Sequence, residues 1–177
     1  KADLKVIANK GKIDKKVRVD AFSPPPSPNM PNLETTWLYQ GLSLLEGTNL
    51  SEGRGTDSPF KLIGAPWIDS QKLFYELRKI KHPLDDFEIA EFTPLSIPAA
   101  KYPKYKNEKC FGLRINNLVN PIEWTIKMLA IIKSQNPEQF KFLESNFIDK
   151  LYGSDELRLS IEGKEIVSKL VINNSEN

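Results

Sequence analysis

Between Leu45 and Phe60 the chain reads Leu-Glu-Gly-Thr-Asn-Leu-Ser-Glu-Gly-Arg-Gly-Thr-Asp-Ser-Pro-Phe. The eleven residues from Glu46 to Thr56 hold two carboxylates (Glu46, Glu52), an amide (Asn49), a guanidinium (Arg54) and three hydroxyls (Thr48, Ser51, Thr56). Two carboxyls sharing a small space can cleave a glycosidic bond, one protonating the leaving oxygen while the other acts as base or nucleophile. Glu46 and Glu52 are therefore the candidate catalytic pair. The same residues also admit a structural reading, in which each glutamate accepts from backbone amides or from Arg54 and stiffens the loop. A third reading is an anion site built from glycine-rich backbone amides.

Gly47, Gly53 and Gly55 punctuate the stretch, where the backbone can take positive φ or approach a ligand closely. Apolar Leu42–Leu45 precedes it and Phe60–Ile63 follows it, so the pattern predicts a loop between two strands, Leu42–Glu46 and Phe60–Ala65. Upstream, Leu4–Ala8 and Lys16–Val19 read as short strands. A stretch with five prolines between Ser23 and Pro31 leads into a predicted helix, Asn32–Tyr39, closed by Gly41. Pro31 suits its first turn with Asn29 near the cap, and Leu33 and Trp37 are predicted to face the core.

Downstream, Asp69 caps a helix from Ser70 to about Lys81, with Leu73, Phe74, Leu77 and Ile80 at helical spacing. Phe87–Leu95 and Cys110–Ile115 read as strands. Pro121 opens a helix to about Ser134 with Ile122, Ile126, Leu129, Ala130 and Ile132 inside. Short helices follow from Pro137, over Phe147–Tyr152, over Ser154–Ile161 and over Glu165–Leu170. The pattern predicts one α/β or α+β domain over residues 1–172, a mixed sheet flanked by helices with a helical C-terminal third, and a disordered tail at 173–177.

At 177 residues the chain can bury a sizeable core. Twenty-five basic against twenty-three acidic residues give +2, too balanced to advertise nucleic acid or a membrane surface. The lysines around Lys101–Lys109 read as a solvated face. A single cysteine, Cys110, lies in an apolar run and reads as an inert buried thiol; it rules out a disulfide within the chain and a thiolate zinc site. The one histidine, His82, precedes Pro83 in a turn, a poor start for a histidine-centred triad. No apolar run approaches the ~18 residues of a membrane span, and no motif calls for a metal or an organic cofactor. The glycine spacing fails the P-loop pattern, because five residues separate Gly47 from Gly53 and Arg54 follows.

Four blocks make the sequence recognisable: Ser27-Pro28-Asn29-Met30-Pro31, Glu46 through Thr56, Pro59-Phe60, and Gly64-Ala65-Pro66-Trp67-Ile68. Weaker ones follow at Phe92-Thr93-Pro94, Lys101-Tyr102, Cys110-Phe111-Gly112 and Leu151-Tyr152-Gly153-Ser154. They resemble the signature blocks of the NamZ-like exo-β-N-acetylmuramidases, a bacterial family long catalogued as a domain of unknown function. The resemblance implies a two-domain protein, an N-terminal Rossmann-like domain followed by a smaller α/β domain, with the active site in the cleft between them. It implies release of terminal N-acetylmuramic acid from peptidoglycan fragments, in the periplasm or outside the cell.

This chain resembles the second domain, and the first domain lies outside the sequence. The expected partners are a muramyl saccharide and that N-terminal domain. Asn29, Asn49 and Arg54 then suit sugar hydroxyls, an acetamido group and the lactyl carboxylate, with Thr48, Ser51 and Thr56 completing the substrate-binding set. The isolated chain is expected to fold and to have little or no glycosidase activity, and the loop to be ordered without ligand. A non-catalytic carbohydrate-binding or interaction module is the alternative.

Overall fold

The computed structural model describes residues 3–7 and 26–163. The predicted strand at Lys16–Val19, most of the proline-rich approach, the helix at Glu165–Leu170 and the tail lie outside them. Residues 3–7 are not in a strand, and Leu4, Val6 and Ile7 are exposed: no described strand pairs with them.

Helix α1 runs Leu33–Leu42. Its cap is Asn32, not Asn29: the Asn32 side chain accepts from Thr35 N–H at 2.9 Å. Thr35, Leu38, Gly41 and Leu42 form the buried face. Trp37 falls outside that stripe and is 45% exposed, its indole N–H donating to Leu118 O at 2.7 Å. Nor does Gly41 end the helix. A Cβ there would lie 2.1 Å from Pro121 O, so glycine is required where α1 crosses the start of a later helix. The chain therefore stays helical, and the predicted strand Leu42–Glu46 is the end of α1 and a 3-10 helix, Ser43–Gly47.

Among the described residues three strands follow, β1 (Leu62–Ala65), β2 (Asp86–Phe92) and β3 (Cys110–Asn117), in the order β1-β3-β2. Both pairings are antiparallel, which decides for α+β. β1 begins two residues after Phe60, and β2 ends before Thr93. On one face Ile63, Ala65, Phe87, Leu113 and Ile115 join the principal core. On the other Leu62, Phe92 and Cys110 form a smaller cluster. Full burial of side chains such as Leu42, Leu45 or Ile63 contributes about 1.5–3 kcal/mol each.

α2 (Ser70–Ile80) and α3 (Pro121–Gln135) cover the core face. Asp69 caps α2 by accepting from Lys72 N–H at 3.0 Å, and Leu73 and Leu77 are buried while Ile80 is exposed. α3 buries Trp124, Thr125, Met128, Leu129 and Ile132; Ile122 points to solvent because the stripe is rotated from the predicted one. Edge-to-face pairs Phe74–Phe87 and Phe87–Trp124 tie α2, the sheet and α3 together. Residues 136–146 make no helix. Pro137–Gln139 form a turn and Phe142 bridges to Thr48, leaving room for α4 (Phe147–Tyr152) and α5 (Glu156–Ile161). No helix among the described residues is long and apolar enough to cross a membrane.

Candidate functional site

The stretch from Thr48 to Phe60 is not a surface loop between strands. It starts from the 3-10 helix, and Thr48, Leu50, Ser51 and Glu52 are all buried. Ser51 and Gly64 exchange backbone hydrogen bonds (2.8 and 3.1 Å), so the loop covers the free edge of β1. Gly53 and Gly55 take φ of +75° and +84°, and a Cβ on Gly55 would meet Leu95 O at 2.5 Å. The polar groups of the loop largely satisfy one another.

Its small side chains make those bonds. Thr48 Oγ1 donates to Leu45 O and accepts from Leu50 N–H. Ser51 Oγ accepts from Gly53 N–H, while Thr56 Oγ1 donates to Gly53 O at 2.6 Å and accepts from Ser58 N–H. The Asn49 amide is spent on the 139–141 segment, donating to Gln139 O at 2.8 Å and accepting from Lys141 N–H at 3.0 Å. Asn29 stands apart, donating to Ala99 O at 3.2 Å.

Glu46, Glu52 and Arg54 do come together. Arg54 Nη2 donates to Glu46 Oε2 at 2.9 Å, and Arg54 Nε lies 3.6 Å from Glu52 Oε1. The guanidinium stacks over the Phe60 ring, 5.2 Å from its centroid. Phe60 is wholly buried, packs edge-on against Tyr39 and has φ of +57°, a left-handed backbone that is unusual for a bulky side chain. Such strain of about 1–3 kcal/mol gathers at functional sites, and here Phe60 packing and the 2.7 Å bond from Phe60 N–H to Glu52 O offset it.

Tyr39 Oη donates to Glu46 Oε1 at 3.2 Å. Burial, and next the Glu46 charge, push the Tyr39 phenol above its ordinary pKa, so it remains a donor at neutral pH. Glu52 is served by Lys104. That ammonium donates to Glu52 Oε2, Leu45 O and Leu50 O, each at 2.9 Å, which uses all three of its N–H bonds. Arg54 Nη1, by contrast, makes no hydrogen bond among the described residues. The cluster opens into a cleft of about 500 Å³ whose rim includes Ala99, Lys101, Tyr102 and Phe147.

Sequence reasoning missed Tyr39, Phe60 and Lys104. Lys104, placed in a solvated lysine face, is three-quarters buried. The available signal was electrostatic: Glu46, Glu52 and Arg54 sum to one uncompensated negative charge, which a buried loop must match. Cys110 is buried as expected, and desolvation pushes its thiol up to about 12. His82 holds a turn, its Nδ1 accepting from Leu84 N–H.

Comparison with known proteins places the chain in a family. The family described as "Exo-beta-N-acetylmuramidase NamZ, C-terminal" matches residues 37–176. The peptidoglycan β-N-acetylmuramidase NamZ of Bacillus subtilis (strain 168) is 36% identical over 150 residues, covering 82% of this chain and 35% of that protein. A crystal structure of a DUF1343 family protein from Bacteroides fragilis NCTC 9343 is similar with TM-score 0.59 and 30% identity, over 82% of this chain and 37% of that one. A second from the same strain shares the fold with TM-score 0.67 and 22% identity, over 77% and 37%. The chain thus spans just over a third of the length of each relative. It belongs to the family of NamZ exo-β-N-acetylmuramidase C-terminal domains.

Proposed function

We propose that this chain forms one wall of a cleft in which a glycoside hydrolase releases terminal N-acetylmuramic acid from peptidoglycan fragments. A second, N-terminal domain of the same protein forms the other wall. The observation that carries this reading is Arg54: a guanidinium fixed by Glu46, Glu52 and the Phe60 ring, with Nη1 unspent, at the base of an open cleft. N-acetylmuramic acid differs from N-acetylglucosamine by a lactyl ether bearing a carboxylate. A positioned guanidinium is the side chain that recognises such a group by directed hydrogen bonds.

In this reading Glu46 and Glu52 hold Arg54 in its pose and set the charge at the sugar. The acid–base pair of glycoside cleavage is, in this reading, completed from the N-terminal domain. Asn49, Thr48, Ser51 and Thr56 keep the cleft's shape through the bonds already described, and Asn29 holds the Ala99 rim. A cell-wall substrate places the working protein in the periplasm or outside the cell.

The test is a titration of the chain with N-acetylmuramic acid and, in parallel, with N-acetylglucosamine, following the Arg54 side-chain N–H resonances by NMR. The muramic sugar is expected to shift them and the glucosamine to leave them in place. Equal responses, or none to either sugar, overturn the reading.

A further inference from the structure

Tyr102 is 94% exposed, the largest exposure among the large apolar side chains of the described residues, and it stands on the rim of the cleft that Arg54 floors. Its loop is built, not loose. Ile97 and Ala100 exchange backbone hydrogen bonds at 3.1 and 2.9 Å, and Ser96 Oγ donates to Lys101 O at 2.9 Å. Two residues on, Lys104 anchors the loop to Leu45, Leu50 and Glu52. A phenol ring kept in water on so braced a loop gains nothing for the fold from hydrophobic burial.

We propose that Tyr102 is the stacking platform for the next sugar of the substrate, the N-acetylglucosamine to which the terminal muramic acid is joined. The inference rests on the functional reading given above. A pyranose ring has an apolar C–H face and a polar rim, and an aromatic ring with a polar tip serves both at small conformational cost. The cleft lining beside it includes Ala99, Ala100, Lys101 and Pro103. The charged floor suits the acidic sugar and the aromatic rim the neutral one. A cleft of about 500 Å³ has the size of sites that enclose drug-sized ligands, which a disaccharide matches.

The experiment titrates the chain and its Y102A and Y102F variants with N-acetylmuramic acid and with the disaccharide N-acetylmuramyl-β-1,4-N-acetylglucosamine. Because Tyr102 is exposed, neither variant is expected to change the thermal midpoint. The chain should bind the disaccharide more tightly than the monosaccharide, by on the order of fivefold. Y102A should erase that advantage and leave the monosaccharide affinity unchanged, while Y102F should keep it. Intact disaccharide preference in Y102A overturns the proposal and leaves the Arg54 reading standing. A thermal midpoint lowered in Y102A, with equal losses for both saccharides, assigns Tyr102 to structure and overturns it too. Absence of binding by the unmodified chain to either saccharide overturns the functional reading and this inference with it.

Discussion

Lys104 and Glu52, 52 residues apart in sequence, meet at 2.9 Å, and the same ammonium binds the carbonyls of Leu45 and Leu50. One side chain thus ties the 3-10 helix, the buried loop and the rim loop into a unit. Replacing it by methionine keeps the stem's packing and leaves a nearly buried carboxylate and the Leu50 carbonyl without a donor, while Leu45 O keeps its bonds from Thr48. K104M is expected to lower the free energy of unfolding by about 2–4 kcal/mol, below the full loss of a buried pair because Lys104 is a quarter exposed. Urea denaturation measures it, and E52Q in the same background should recover part of the loss. A change under about 0.5 kcal/mol would show that the knot is dispensable.

Gly41 tests a different kind of constraint. A Cβ there meets Pro121 O at 2.1 Å and Ile122 N at 2.7 Å, both backbone atoms that cannot swing aside. Alanine is the better helix former, by about 1 kcal/mol in an open helix. Here G41A should instead destabilise by about 1–3 kcal/mol or more, since overpacking forces α1 off α3. A stabilised G41A in chemical denaturation would refute the close crossing.

Gly41 also shows where sequence reading stops. A glycine after an eight-residue amphipathic run looks like a helix end, and only the position of Pro121, eighty residues on, reveals it as a packing site. The locally encoded elements were legible: Asp69 before Leu73 and Leu77 gave α2, and Pro121 gave the start of α3. The focal stretch was legible by its composition, which singled out Glu46, Glu52 and Arg54 together. Tyr39 and Lys104 join that cluster only through tertiary approach. Lysine-rich surroundings hid Lys104, and a helix whose other face is buried hid Tyr39. Trp37 misled for the opposite reason, since its size suggested core and its indole N–H found a partner at the surface.

Cys110 carries a pH dependence. Burial holds its thiol protonated in the folded state, up to about 12, against an ordinary value of 9.0. Between those values the folded state binds the proton that the unfolded state has lost, so stability falls as pH rises from about 9 towards 12. Burial shifts the phenols of Tyr39, Tyr105 and Tyr152 in the same direction. From pH 8 to pH 10.5 the thiol's share is about 2 kcal/mol. Urea midpoints measured across that range should fall more steeply for the native chain than for C110A. Parallel slopes would show that the thiol is accessible in the fold, and rapid alkylation of Cys110 under native conditions would agree.

The sharpest prediction concerns Arg54. Its Nη2 is held by Glu46, its face lies on Phe60, and its Nη1 is uncommitted among the described residues. Lysine keeps the charge but loses the planar fork, so the substitution removes directed bonds while sparing the Coulombic attraction. Grafted into the Bacillus NamZ protein in place of the segment it matches, this chain carrying R54K should lose about 1.5–3 kcal/mol of transition-state binding on a muramic glycoside, read as kcat/KM. On the glucosamine analogue, which lacks the lactyl carboxylate, the loss should be under threefold, an expectation from the missing pair of charge-assisted bonds. Glu46 makes the comparison informative, because E46Q frees Nη2 and should disturb the pose of Arg54 without touching the sugar. Its effect on the muramic substrate should therefore follow R54K in direction and be smaller. Equal losses on the two glycosides for R54K would assign the guanidinium to bracing Glu46 and Glu52 alone.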